Sequence, residues 1–532
     1  MTADPEPPPA GRRADRLALA AALVLLLALA LFGARVHWVE EAGTAERDGY
    51  VGEAEQLRSG TLPHDPYRPL LYPLLAAALS RLTGDAFTAA RLLTNLAAAG
   101  LAWLAYAYGR RLAGAAAGGW AMALAAVNPN LWIIGQHVTT DMLFAALAAA
   151  ALLAGLQYLR EPAPAPALAA GLCLGLAAFT RANALFLVPA LLVAWWLAPA
   201  PDAPPGGPPA GTAWRRPAPP RLGHLAIAAV AAVVVLLPHW ALRYAEFGNP
   251  FYDENWKNLA LKLYGYPDWS YLDRVPFRSA AAVVAHDPAA VLRAGAAELW
   301  RFATAGASQL LGTWAHVLLA AAGALWSLLH RGTRRASAWL LFALGTFVAA
   351  TAFTFFTWGR LLLLLVPGAY ALAFSPWNQV PQTGRLTRRR ILAVIGVAAV
   401  LLLAVKTFAY RLPAFVARHP YVEVALLRHL DAEVPAGAAL GGSSPFLGRY
   451  LRHRYVALPD AFGPETARPE LYYAKLRRLV RQDRVTWLVV GPVDLRARPP
   501  SLLEPRAPVP WLAPAGGERG VAIWRVIDAD AE

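Results

Sequence analysis

Long apolar runs separated by short polar connections occupy most of the first 410 residues. Runs of roughly 17–25 apolar residues cross a bilayer as helices, because a helix satisfies its own backbone hydrogen bonds in hydrocarbon. The pattern predicts spans near 16–36, 89–108, 115–131, 141–159, 167–180, 184–199, 225–242, 313–329, 338–356, 360–376 and 391–410, about eleven in all. The fifth and sixth are short and joined by a tight turn at Arg181-Ala182-Asn183. The first run follows Arg12, Arg13 and Arg16, ends in Arg35 and His37 rather than in a small-x-small site ahead of polar sequence, and is followed by many further spans, so it reads as a retained anchor.

Beyond residue 410 the pattern changes. Charged residues become frequent, and two compact apolar runs, Thr486 to Val490 and Val521 to Trp524, have the length of buried strands. Tyr421 to Leu430 carries helical spacing through Val422, Ala425, Leu426 and His429. Residues 411–532 therefore read as a small soluble α/β domain, and 1–410 as a polytopic all-α membrane domain.

Charge fixes the expected orientation. The 49 basic and 34 acidic residues give a net charge of +15, which in a soluble chain raises nucleic acid as a partner. Here the excess follows the spans. Arg110 and Arg111, then Arg215, Arg216 and Arg221, then Arg331, Arg334 and Arg335, then Arg388 to Arg390 fall in alternate connections, as the positive-inside rule requires. The excess thus reports topology and anionic lipid, and no nucleic-acid partner is expected. The expected topology puts the N-terminus inside and leaves loops 37–88 and 243–312, with the C-terminal domain, outside. The Pro/Gly-rich stretch 199–222 reads as an internal linker. The single cysteine, Cys173, excludes a disulfide framework within the chain.

Candidate chemistry gathers in the outside segments. Asp48, in Arg47-Asp48-Gly49-Tyr50, is a loop carboxylate at the expected membrane surface, suited to accept the proton of an attacking hydroxyl. Alone it reads more readily as an ordinary solvated aspartate. Glu46 is a second carboxylate nearby, and Tyr50 opens a segment in which Val51, Ala54 and Leu57 have the spacing of a short amphipathic helix. Tyr67, Arg68 and Tyr72 lie in a proline-stiffened loop, 66–73, where Arg68 offers a fork of donors for phosphate oxygens. The competing role for this loop is an interfacial anchor of aromatic and basic groups.

Arg91, Arg181, Arg243 and Arg360 stand where apolar runs meet the outside, a costly position unless each is paired or faces a wet cavity. His137 and Asp141, four residues apart, would share one helix face, while Asp141 is alternatively a helix N-cap. Two such ligands alone define no metal site. Lys257 belongs to a loop rich in tyrosine, tryptophan and cations that suits a sugar or a lipid headgroup, and equally an interfacial belt. No Walker-type phosphate loop, zinc-ligand set or nucleophile elbow is present.

These residues, in this order, resemble the bacterial family-39 membrane glycosyltransferases, relatives of the protein O-mannosyltransferases and the lipid A aminoarabinose transferases. The resemblance runs from Arg47-Asp48-Gly49-Tyr50 through Tyr67 to Pro73, Ala90-Arg91-Leu92 and Thr140 to Leu143. It continues through Gly175 to Arg181 with Pro189, Pro238 to Pro250, Arg360 to Pro367 and Thr486 to Val490. It implies a GT-C fold, a polyprenyl-phosphate-linked sugar donor and inverting transfer to a lipid, glycan or protein acceptor outside a bacterial cytoplasmic membrane.

The resemblance makes Asp48 the catalytic base. Arg68 would hold the donor phosphate, joined by Arg91, Arg181, Arg243 and Arg360, while Glu46, Tyr50, Tyr67, Tyr72, His137, Asp141 and Lys257 would contact substrate. No cofactor is implied, and a divalent metal requirement is left open. The first loop lacks the Asp-Glu pair of the eukaryotic mannosyltransferases, and 66–73 lacks the double proline of many relatives. A transporter or flippase of a lipid-linked saccharide is the competing reading. Against it, the sequence has no pair of interrupted helices in matching halves.

Overall fold

The computed structural model describes residues 9–36, 49–63, 68–198, 222–264, 277–357, 359–378, 385–418, 429–442, 453–458, 468–490, 502, 507–517 and 521–527. They fall into two compact units, one within 1–34, 50–259 and 279–415, the other within 35–49, 260–278 and 416–532.

The helices, in chain order, begin with α1 (Pro9–Val36), α2 (Tyr50–Arg58), α3 (Leu71–Thr83), α4 (Ala86–Ala113), α5 (Ala115–Ala126), α6 (Pro129–Ile134) and α7 (Asp141–Arg160). They continue with α8 (Pro164–Thr180), α9 (Val188–Leu197), α10 (Leu222–Phe247), α11 (Trp256–Tyr264), α12 (Ala280–His286), α13 (Pro288–Arg301) and α14 (Ala307–Leu310). The last are α15 (Trp314–Leu329), α16 (Arg331–Thr354), α17 (Leu365–Ala373), α18 (Arg385–Ala404), α19 (Leu412–Arg418) and α20 (Pro469–Asp483).

Among the described residues six helices are long and apolar enough to cross a membrane, or seven if the bent pair Pro288–Leu310 and Trp314–Leu329 forms one span. The chain is a multi-pass membrane protein. Helical structure occupies all eleven expected stretches, but several are divided. Asn128 ends one run and caps α6 through a 2.8 Å bond from the Asn130 amide, with Pro129 at the first helical position. The stretch from Ala182 starts as a 3-10 turn ahead of α9, whose second residue is Pro189. Apolar pattern alone does not register these breaks, because proline and asparagine change backbone geometry without changing hydropathy.

Small residues let helices meet closely. A Cβ on Gly175 of α8 would lie 2.9 Å from the Ala232 carbonyl oxygen of α10, and one on Gly171 would collide with that of Ala228. Between helices in hydrocarbon, such close backbone approach provides the van der Waals contact that a hydrophobic effect cannot.

The 103° bend between α14 and α15 frees carbonyl groups that bilayer-facing backbone must satisfy internally. Asn128 Nδ2 donates to the Leu310 carbonyl at 3.0 Å and to Tyr370 Oη at 2.7 Å. Tyr370, fully buried on α17, donates in turn to the Leu311 carbonyl at 3.0 Å, and the Lys406 ammonium reaches that of Gly312. A side-chain network therefore replaces the missing helical ladder.

The second unit contains a five-stranded sheet of β1 (Ala439–Gly442), β2 (Arg454–Ala457), β3 (Val485–Val490), β4 (Leu512–Gly516) and β5 (Ala522–Val526), in the order β2-β1-β3-β5-β4. β1 pairs in parallel with β2 and β3, whereas β5 runs antiparallel to β3 and β4. Side chains alternate across the sheet. Leu488, Val490 and Trp524 pack with Tyr472, Leu476 and Val480 of α20, while Val489 and Ile523 pack with Leu430, Val434 and Leu440 on the other face. Both strands expected from the apolar runs are thus present as β3 and β5, while residues 421–428 of the expected helix lie outside the described residues.

Replacing Tyr370 by Phe keeps the ring and removes the hydroxyl, leaving the Leu311 carbonyl and the Asn128 amide each short of a partner. Thermal unfolding in detergent should show a loss of about 1–3 kcal/mol. An unchanged midpoint would mean that the bend does not depend on this network.

Candidate active site

Asp141 is the first residue of α7 and is 1% exposed. A carboxylate so buried requires compensating charge and hydrogen bonds. It receives them from three side chains: the Arg181 guanidinium on Oδ1, Arg360 at 3.5 Å from Oδ2, and the Thr139 hydroxyl at 3.1 Å, also on Oδ2. The preceding residue, Thr140, holds the N-cap position, and its side chain makes no capping bond. The Asp141 carboxylate thus spends its bonds on tertiary partners, on the end of α7 where the helix dipole favours negative charge.

Local sequence explains how the two arginines arrive. Arg181 is the extended residue, φ −158° and ψ 133°, between α8 and the following 3-10 turn. Arg360 lies in a 3-10 turn, Gly359–Leu362, that follows α16. Its approach is anchored by Glu298 of α13, whose Oε2 accepts the Thr357 amide and hydroxyl, each at 2.9 Å, and pairs with Arg301.

A second layer reaches the same place from the first loop. Tyr50 Oη lies 3.3 Å from Thr140 Oγ1, and the Arg68 guanidinium sits 5.4 Å from the centre of the Tyr50 ring. Arg68 also pairs with the buried Glu53 at 3.2 Å, and its carbonyl accepts from Arg243 at 3.1 Å. Tyr72 packs edge-on against Tyr50 with ring centres 5.4 Å apart, and its hydroxyl reaches the Ala90 carbonyl at 2.9 Å and Thr94 at 2.8 Å. Arg243 is 5% exposed, with its guanidinium 5.4 Å from the centre of the Phe247 ring. Ahead of α2, Gly49 has φ 75°, a conformation that glycine adopts without strain.

Tyr50, Arg68, Tyr72, Asp141, Arg181, Arg243 and Arg360 therefore form one connected set. Arg91 takes another path, donating to the Gly33 carbonyl of α1 at 3.1 Å and lying over the Phe87 ring. Lys257 is buried beside Glu254 at 2.7 Å, and Glu254 also accepts from Tyr252 at 2.6 Å. His137 does not share a helix face with Asp141. α6 ends at Ile134 and α7 begins at Asp141, so His137 lies in the turn between them, with its ring 6.0 Å from that of Phe415. Asp48, Glu46 and Tyr67 lie outside the described residues. Among the described residues no three His, Cys, Asp or Glu side chains gather as a metal site.

The sequence reading missed Glu53, Thr139, Thr140 and Glu298. Glu53 carried a signal, since it stands one turn from Tyr50 and beside Val51 and Ala54, on the face that α2 buries. Glu298 carried none, because its partner Thr357 lies 59 positions away.

Replacing Asp141 with Ala would leave Arg181 and Arg360 without the carboxylate they share. Removing one partner of a buried ion pair costs about 3–5 kcal/mol. A several-degree fall in the detergent-solubilised unfolding midpoint is the expected result, and no change would contradict the charge account.

Residues 67–203 match the model of the dolichyl-phosphate-mannose-protein mannosyltransferase family, a segment that includes Arg68, Tyr72, Arg91, Asp141 and Arg181. No curated protein matches the chain. Two solved structures of the Archaeoglobus fulgidus oligosaccharyltransferase, one tethered to an acceptor peptide and one in complex with zinc and sulfate, each align over 88% of this chain and 68% of theirs at 14% identity. Their TM-scores are 0.53 and 0.54. ArnT from Cupriavidus metallidurans, bound to undecaprenyl phosphate, aligns over 96% of this chain and 97% of its own at 18% identity, with a TM-score of 0.46. The chain is a membrane protein of GT-C fold whose residues 67–203 match the model of the dolichyl-phosphate-mannose-protein mannosyltransferase family.

Proposed function

We propose that this protein is an inverting glycosyltransferase that moves a hexosyl or pentosyl unit from a polyprenyl-phosphate donor to an acceptor hydroxyl at the outer face of a bacterial cytoplasmic membrane. The observation that carries the reading is the meeting of Arg181 and Arg360 on buried Asp141, joined through Thr140 and Tyr50 to Arg68 and Arg243. Two guanidiniums converge there on one end of the helices, a donor geometry that suits an anion. The matched family's description names a dolichyl-phosphate sugar and a protein, which supports a lipid-phosphate donor and an acceptor of that kind.

In this mechanism Asp48 takes the acceptor proton as the acceptor oxygen bonds to the anomeric carbon. The bond from that carbon to the phosphate oxygen breaks on the opposite side, and its electron pair leaves with the polyprenyl phosphate. Arg181 and Arg360, with Arg68 and Arg243 near them, stabilise the charge that develops on the leaving phosphate. Tyr50 and Tyr72 offer ring faces and edges to the sugar. Many spans suit such a reaction, because the prenyl tail stays in hydrocarbon while the sugar meets its acceptor at the surface.

Isolated membranes supplied with radiolabelled prenyl-phosphate sugar test the assignment. Wild type should transfer label to an acceptor, and Asp48→Asn should transfer at least about a hundredfold more slowly while still binding donor. Full turnover by that variant would sink the role of Asp48. Label that crosses the membrane without being transferred would mark a transporter or flippase instead.

A further inference from the structure

The end of the helical unit opposite Asp141 holds a cavity of about 600 Å³ whose lining includes Arg110, Arg111, Arg160, His330 and Arg331. α7 runs 20 residues from Asp141 to Arg160, about 30 Å at the helical rise, so the two ends are distinct sites. Arginines closing α4 and α7 are unremarkable in themselves, since cations favour helix C-termini and inside loops.

Arg331 breaks that pattern. It opens α16 rather than closing it, and Arg334 and Arg335 follow it with no acidic residue in the first turn. Cations at a helix N-terminus oppose the dipole. The N-cap residue His330 makes no side-chain capping bond, and Gly114, which also lines the cavity and caps α5, has no side chain with which to cap. Two uncapped helix N-termini and four guanidiniums therefore face one space.

Local carboxylates offset only part of this charge. Asp15 pairs with Arg110 and also accepts the Tyr106 hydroxyl at 2.9 Å, while Arg160 donates to the Arg111 backbone carbonyl. Glu161 is the acid beside Arg111 and Arg160. Among the described residues Arg111 and Arg331 form no ion pair. A folded chain that brings cations together at this density gains from an anion between them.

We infer that this cavity binds a phosphate-bearing anion, at a second site remote from Asp141. Its volume lies within the range of small-molecule pockets, larger than inorganic phosphate requires, and it opens where spans α4, α7 and α16 end. Those features favour the phosphate headgroup of an anionic membrane lipid, held by the guanidiniums and by the free amides at the start of α16.

Native mass spectrometry of the purified full-length chain distinguishes the sources. Phosphatidylglycerol, phosphatidylcholine and inorganic phosphate are titrated separately against wild type and the double variant R111Q/R331Q. Retention of phosphatidylglycerol over phosphatidylcholine, weakened at least about tenfold in the double variant, establishes the site with a lipid occupant. Retention of inorganic phosphate alone, lost in the same variant, establishes it with a soluble one. Equal retention by wild type and variant overturns the inference, provided that both unfold at the same temperature in phosphatidylcholine. If the double variant does not fold, R331Q alone gives the same comparison.

Discussion

Burial of the Asp141 carboxylate at the start of α7 is the constraint on which the arrangement of this end of the helical unit depends. A charge with 1% exposure in a membrane protein is tolerated only when opposite charge is brought to it. Here two guanidiniums are brought from separate chain segments: the α8 end through Arg181 and the turn after α16 through Arg360. The need to reach one carboxylate defines where both chain reversals pass. Glu298 extends the same logic by one step, fixing Thr357 and with it the approach to Arg360.

Much of the helical unit was legible in the sequence, because apolar runs long enough to cross hydrocarbon have few other uses. What hydropathy did not reveal were the breaks. The run from 115 to 131 divides at Asn128-Pro129, and the α14–α15 bend is held by Asn128, Tyr370 and Lys406, residues that contribute through hydrogen bonds to distant carbonyls. In the second unit β3 and β5 were legible as short apolar runs, whereas β1, Ala439–Gly442, contains two glycines and little apolar signal.

The site was legible to a different degree. Position at the ends of apolar runs singled out Arg181, Arg243 and Arg360, and each has a tertiary partner, since an unpaired guanidinium there is costly. The same argument also selected Arg91, which donates to the Gly33 carbonyl and lies over the Phe87 ring. The pairing of His137 with Asp141 failed. Four-residue spacing places two side chains together only inside a continuous helix, and the chain turns between Ile134 and Asp141.

The central claim is that the Asp141 end of the helices receives a lipid-linked phosphate. Its most direct test is a high-resolution structure of the full chain in a lipid nanodisc with a non-hydrolysable polyprenyl-phosphate sugar analogue. The account predicts donor phosphate density within hydrogen-bonding distance of at least two of Arg68, Arg181, Arg243 and Arg360. Phosphate density bound elsewhere, away from Arg181 and Arg360, would contradict it.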